Sequence, residues 1–471
     1  MSASSSTAPP FPAVSGRWVL PDDPGFAEAV FGRVFNHRRP DRTPAAVLAA
    51  ADAADVVAGV RLARDRGWQV SVRSGGHSWA AWSVRDDALL IDLEALRDIS
   101  YDEATGVVVA GPATRGGSEL GPFLAARGRF FGGGHCPTVG IGGFLLQGGQ
   151  GYLARGWGWA AESVVAVDVV TADGELVRAD ATQHRDLYWA ARGAGPGFPG
   201  IVVAFALRTR PLPPVVVHSV ELYPLERYDE VLTWLQQVHG QVSPDVEIVA
   251  VAMTPPGPVP GHPGGHLLAV TGLALCATRE EADAALAPLW TCPVAEHALV
   301  RAVEQHPDLE FHRADQVQAN PEGHRYRVDN AWLSGTPEQV VPALRRTFTE
   351  LPSPQSFSIW FSMAPLRELP DMAFSMQSEI YNATYLVYPD AADDEAHAAW
   401  LAERMAELQP VTVGQYLGDS DLARRELRVL GEAQFARLQQ IRAVRDPHRL
   451  FTGYLAGGAD PTNTNHWEAG Q

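Results

Sequence analysis

The sequence predicts an α+β chain in two domains, on three observations. Its 471 residues exceed what one hydrophobic core ordinarily serves. From Pro44 onward, short apolar strands alternate with glycine turns and helical stretches. An apolar strand then meets a proline stop at Pro211, Pro213 and Pro214, the best domain boundary. Beyond it, strands followed by amphipathic helices predict a sheet with helices over one face.

In chain order, "TPAAVLAAADAADVVAGVRLARDRGW" reads as one helix, with Thr43 as cap and Pro44 in its first turn. "QVSVRS" alternates as a strand ending at Gly75 and Gly76, and "ALLIDLEAL" is a more buried strand. "GVVVAGPATRGGSELGPFLAARG" repeats strand, turn and helix, and "SVVAVDVVTADGELVRA" is a hairpin turning at Asp173-Gly174. "GIVVAFALRTRPLPP" is the strand that the prolines stop. Past it come a helix in "DEVLTWLQQVHGQV", a strand in "HLLAVTGLALCA" and a helix in "REEADAALAPLW". Aromatic-rich strands follow in "FSIWFSMAPL" and "IYNATYLVYPD". Helices in "DEAHAAWLAERMAEL" and "ELRVLGEAQFARLQQIRAVRDPHRLF" precede a loose polar tail.

Composition excludes several functions. The net charge of −18 argues against nucleic acid or an anionic membrane as partner. The chain contains no lysine, which removes Schiff-base chemistry and a P-loop lysine. The amino terminus lacks a basic start and an apolar run, and no apolar stretch is long enough to span a bilayer, so a cytoplasmic location is expected. Cys136, Cys276 and Cys292 are odd in number and far apart, which speaks against a disulfide framework.

Two glycine-rich turns, "VRSGGHSWAAWS" and "FFGGGHCPTVGIGGFLLQGGQG", can bring backbone close to a ligand and form an anion nest. Neither matches the Rossmann fingerprint. Each presents one nucleophilic side chain, His77 and Cys136. Their spacing with His135 suits no usual zinc site, and no metal is implied. A cysteine–histidine nucleophilic pair, or a buried cysteine beside a satisfied histidine, are the other readings.

These two loops, with the continuation "YLARGWGWAAESVVAVDVVTADG", resemble the flavin-attachment loops of berberine-bridge-enzyme-like oxidases, in the vanillyl-alcohol-oxidase superfamily. The resemblance is strongest from Pro44 to Pro213. It implies a two-domain FAD-binding fold: a discontinuous FAD-binding domain at 1–212 plus 411–471, and a substrate domain at 213–410. It also implies bicovalent FAD, with an 8α-histidyl bond at His77 and a 6-S-cysteinyl bond at Cys136. Arg73, Ser74, Gly75, Gly76 and Ser78 would then line the pyrophosphate. Thr138, Gly140, Gly142 and Gly143 would pass near the ring and ribityl chain, and the backbone of Ile201 and Val203 would face the cofactor edge.

The implied activity is oxidation of an alcohol, carbohydrate or secondary metabolite, a small-molecule substrate, with molecular oxygen as acceptor. A dehydrogenase using another acceptor, or a catalytically degenerate binding protein, are the alternatives. The family's base is commonly the second tyrosine of a "YLNY" segment. Here the matching stretch is "YLGD", so Asp419 holds that position and Tyr416 only the first. The base is therefore Asp419, Tyr416, or a residue of the substrate sheet, where Tyr381 and Tyr385 share a strand face. Tyr385 and Trp360 are expected to wall the substrate pocket. Trp157 and Trp159 are expected to pack behind the flavin loop. His306, His312 and His324 fall in a polar stretch read as an exposed loop that can serve as a lid.

Overall fold

The computed structural model describes residues 10–420 and 428–454. Three sheets carry the architecture. The first orders Arg17–Val19, Ala46–Ala49, Leu89–Asp92 and Val70–Arg73, the last three parallel. The second, antiparallel throughout, orders Ile99–Asp102, Val107–Ala110, Ile201–Arg208, Val164–Val170 and Leu176–Asp180. The third has eight antiparallel strands: Val300–His306, Val215–Tyr223, Leu267–Cys276, Val246–Met253, Phe357–Ser362, Ile380–Tyr388, Arg325–Leu333 and Thr412–Gly414.

Helices Tyr228–Val238, Arg279–Leu286, Pro337–Thr349 and Asp394–Glu407 cover one face of the eight-stranded sheet. Leu232, Leu235, Val340, Leu344, Phe348 and Met405 pack there against Val217, Ile248, Ala250 and Val270. The opposite face looks toward the first two sheets and carries the site. Trp360 belongs to the covered face: it is fully buried in that core and rings against His239, so it walls no pocket. Alternation along its strand puts its neighbours Ile359 and Phe361 on the other side.

The structure corrects the first predicted helix. Ala46–Ala49 is a strand and the helix runs from Ala53 to Arg66. Apolar residues so dense satisfy either periodicity, and here parallel pairing on Leu89–Asp92 buries the run. The N-cap is Asp52, whose carboxylate accepts from the Asp55 N–H, rather than Thr43. Within the C-terminal segment, helix begins at Glu432; the tail beyond 454 lies outside the described residues. Among the described residues no helix is long and apolar enough to cross a membrane.

Candidate active site

A cavity of about 930 Å³ lies between the two glycine turns and the uncovered face of the eight-stranded sheet. This falls in the usual range for small-molecule and cofactor sites. Glycine is required where the turns meet. A Cβ on Gly75 would sit 2.5 Å from the Gly140 nitrogen, and one on Gly142 would sit 2.9 Å from Ser74 Oγ. Gly76 has φ +80° and lies against the Arg33 carbonyl, a left-handed conformation no other residue would hold cheaply.

His77 and Cys136 come together at one hydroxyl. Thr138 Oγ1 is 3.1 Å from His77 Nε2 and 3.6 Å from Cys136 Sγ. Phe35 stacks on the imidazole with ring centroids 4.5 Å apart. Burial, helped by the nearby Arg115 and Arg33 cations, lowers the His77 pKa to about 4, so the ring is neutral at physiological pH. Burial also raises the Cys136 thiol.

Ser74, Gly75, Gly76, Ser78, Gly140, Gly142 and Gly143 line the cavity together with His77 and Cys136. Arg73 borders it, but its guanidinium is buried and donates to the Asp92 carboxylate and to the carbonyls of Ala29 and Val30. That cation braces the loop from behind. Ile201 lines the cavity along with Val202, while Val203 packs into the core with Val70 and Leu89. Buried donors on lining residues remain without a protein partner: Trp82 Nε1, Arg85 Nη1 and Gln150 Nε2. Unpaired donors beside a glycine cradle fit a large ligand rich in acceptors, as FAD is. Among the described residues no group of three or more His, Cys, Asp or Glu could hold a metal ion.

At the other end stands Asp419. Tyr381 donates to its Oδ2 at 2.8 Å, and Tyr385 and Trp79 supply further donors. Burial is the largest influence and raises the carboxyl pKa, with those donors pulling partly back. Burial together with the Asp419 charge raises the phenols of Tyr381, Tyr385 and Tyr416, so all three stay protonated. Tyr416 accepts from the Gln150 N–H at 3.1 Å. Asn330 sets the whole turn: its Nδ2 donates to the carbonyls of Tyr416 and Asp419 at 2.8 and 2.7 Å, and its Oδ1 accepts from the Tyr416 N–H. Because Tyr381 favours the ionised carboxylate, Tyr381→Phe should move the acid limb of kcat/KM to higher pH. An unmoved limb would remove Asp419 from the profile.

A second polar group escaped the sequence reading. His135 Nε2 lies 2.7 Å from Glu247 Oε1, and Glu247 Oε2 accepts from the Leu153 N–H at 2.9 Å. Burial opposes the charged imidazolium, but the adjacent Glu247 carboxylate outweighs it and raises the His135 pKa. The stretch read as an exposed loop is a helix, Glu310–Ala319, and it presents His312 to the cavity. His312 Nδ1 pairs with the Tyr152 hydroxyl at 3.0 Å, and burial beside His135 lowers its pKa to about 3. The helix carries only Phe311, Ala314, Val317 and Ala319 as apolar residues among charged and amide side chains, too short a stripe to mark a helix in the sequence. Trp159 is buried against Phe374, Trp332 and Tyr416, and Trp157 packs edge-on against Phe130.

Residues 44–180 match the FAD binding domain family. The FAD-linked oxidoreductase nodO of Hypoxylon pulicicidum is 36% identical over 441 residues, 91% of this chain and 94% of that one. A carbohydrate oxidase of Microdochium nivale is 36% identical over 203 residues, 42% of this chain and 39% of that one. In fold, the chain is similar to a berberine bridge enzyme variant described as a reticuline dehydrogenase. The TM-score is 0.78 at 18% identity, over 95% of this chain and 98% of that one. At 36% identity over nearly its whole length, and with an FAD binding domain at residues 44–180, the chain belongs to the FAD-linked oxidoreductases.

Proposed function

We propose that the chain holds FAD covalently through His77 and Cys136 and oxidises an alcohol-bearing small molecule, with molecular oxygen as the final acceptor. The observation that carries the reading is Asp419, a half-buried carboxyl on the cavity wall among phenols that stay protonated. Of the three base candidates, the phenols are held protonated by burial and the Asp419 charge, which leaves the carboxyl as the group that can take a proton once it is ionised. FAD supplies the two-electron acceptor for the substrate's C–H bond. Asp419 takes the hydroxyl proton, Tyr381 and Tyr385 hold the carboxylate in place, and Asn330 fixes the turn that presents it.

Neutral His77, with Nε2 at the Thr138 hydroxyl, has an unprotonated nitrogen available for attachment, and the Cys136 sulfur lies beside the same hydroxyl. The first test is denaturation of the purified yellow protein in acid. The flavin should stay with the pellet, and a peptide mass map should place it on His77 and Cys136. Cys136→Ala should keep the flavin attached through His77 with an altered absorption spectrum. Flavin released into the supernatant would overturn the covalent reading. Oxygen uptake with an alcohol panel tests the acceptor: flavin that bleaches anaerobically but does not recover in air would make the protein a dehydrogenase.

A further inference from the structure

The uncovered face of the eight-stranded sheet is aliphatic where it meets the cavity. On strand Val246–Met253 the residues turned to the helices, Ile248, Ala250 and Ala252, are fully buried. Those turned to the cavity, Val249, Val251 and Met253, are only partly buried and equally apolar. Strand Val215–Tyr223 adds Val220 and Leu222 on the same side, and strand Phe357–Ser362 adds Ile359. Register aligns these side chains in rows. One row runs Leu222, Ala269, Val251, Ile359. The next runs Val220, Thr271, Val249, Phe361 and ends on Tyr381, which holds Asp419. At an inter-strand spacing of about 4.8 Å, three steps from Leu222 to Ile359 span roughly 14 Å.

Resting on the oxidoreductase reading above, we propose that the substrate is an extended, mainly hydrocarbon alcohol whose body lies on this wall with its hydroxyl at Asp419. Along these two rows the wall offers a bound molecule almost nothing to hydrogen-bond. Its one hydroxyl, Thr271 Oγ1, already donates to the Val249 carbonyl at 3.3 Å. A carbohydrate brings a hydroxyl on nearly every carbon. Each one laid unpaired on Val251, Leu222 and Ile359 would lose its water without replacement. A hydrocarbon body gains instead, because partly exposed aliphatic side chains and ligand leave water together. The charged groups at the near end, His135 and Glu247, are paired with each other. Of the other polar side chains on the cavity, His218 lies on the sheet in the row of Leu273 and Glu247, at the near end, while Asp315, Gln316, Gln318, Asn320 and Gln355 sit on the helix and loops across from the sheet.

The test is calorimetric titration of the flavin-loaded protein under nitrogen with farnesol, a sterol and cellobiose. Farnesol or the sterol should bind at least tenfold more tightly than cellobiose. Val251→Asn should weaken that binding roughly tenfold, and Val251→Leu, which keeps the wall apolar, should not. Cellobiose binding as tightly as either apolar alcohol overturns the substrate class, and so does a failure of both apolar alcohols to bind. Anaerobic bleaching of the flavin in the same samples reports separately on the oxidoreductase reading: apolar alcohols that bind without bleaching leave this wall assignment intact and count against Asp419 chemistry.

Discussion

Asp419→Asn is expected to slow flavin reduction by substrate by two to four orders of magnitude, the range a positioned general base ordinarily contributes (about 10²- to 10⁴-fold). The amide keeps the size of the carboxylate and can still accept from the Tyr381 hydroxyl, so folding and flavin content should match the native protein. It cannot take a proton. Tyr381, Tyr385 and Tyr416 cannot replace it, because burial and, in the native protein, the Asp419 charge hold their phenols protonated. Stopped-flow mixing with an oxidisable alcohol under nitrogen reads the step directly, ahead of any reaction with oxygen. The native pH profile supplies a second check. A base must be ionised to work, so kcat/KM should rise with pH through the Asp419 titration. Because burial raises that carboxyl, the rise should lie above the ordinary carboxylate range. A variant that reduces its flavin at the native rate would take Asp419 out of the chemistry.

The two cavity walls differ in how far they could be read from sequence, for a physical reason. The glycine wall is written in residue types that backbone geometry demands. Gly76 needs positive φ, and Gly75 and Gly140 need the absence of Cβ, so the pattern survives on the page. His77 and Cys136 sit within those patterns at fixed offsets. The sheet wall is written only in pairing. Val246–Met253 is apolar on both faces but for Glu247, which erases the alternation that marks a half-exposed strand. Glu247 reaches His135 across 112 residues, and Asn330 reaches Asp419 across 89, contacts with no local signature. Trp360 shows the cost of this: the right strand was identified, but which face met the cavity was set by register alone.

Those walls must also stay at a fixed distance, and one side chain carries much of that duty. Arg155 follows directly on the second glycine turn and is 2% exposed. Its guanidinium donates to the carbonyls of His239, Val242, Ser243 and Val246, and to Ala364 on the far side of the sheet strand Phe357–Ser362. All five acceptors lie on or beside the eight-stranded sheet, so the residue bolts the segment after the second glycine turn to it. Arg155→Met should keep the volume of the stem and remove every donor. An orphaned buried acceptor costs about 1–3 kcal/mol, and because neighbouring losses do not add fully, the variant should lose at least about 3 kcal/mol. A urea titration would show this as a lower midpoint. Arg155→Lys, with a charged head but a single nitrogen in place of the planar fork, should recover only part of the loss. If the bolt also sets the cavity, the methionine variant should raise KM for substrate in mild urea before the protein unfolds. A midpoint within about 0.5 kcal/mol of native would mean that the walls are held by the apolar clusters alone.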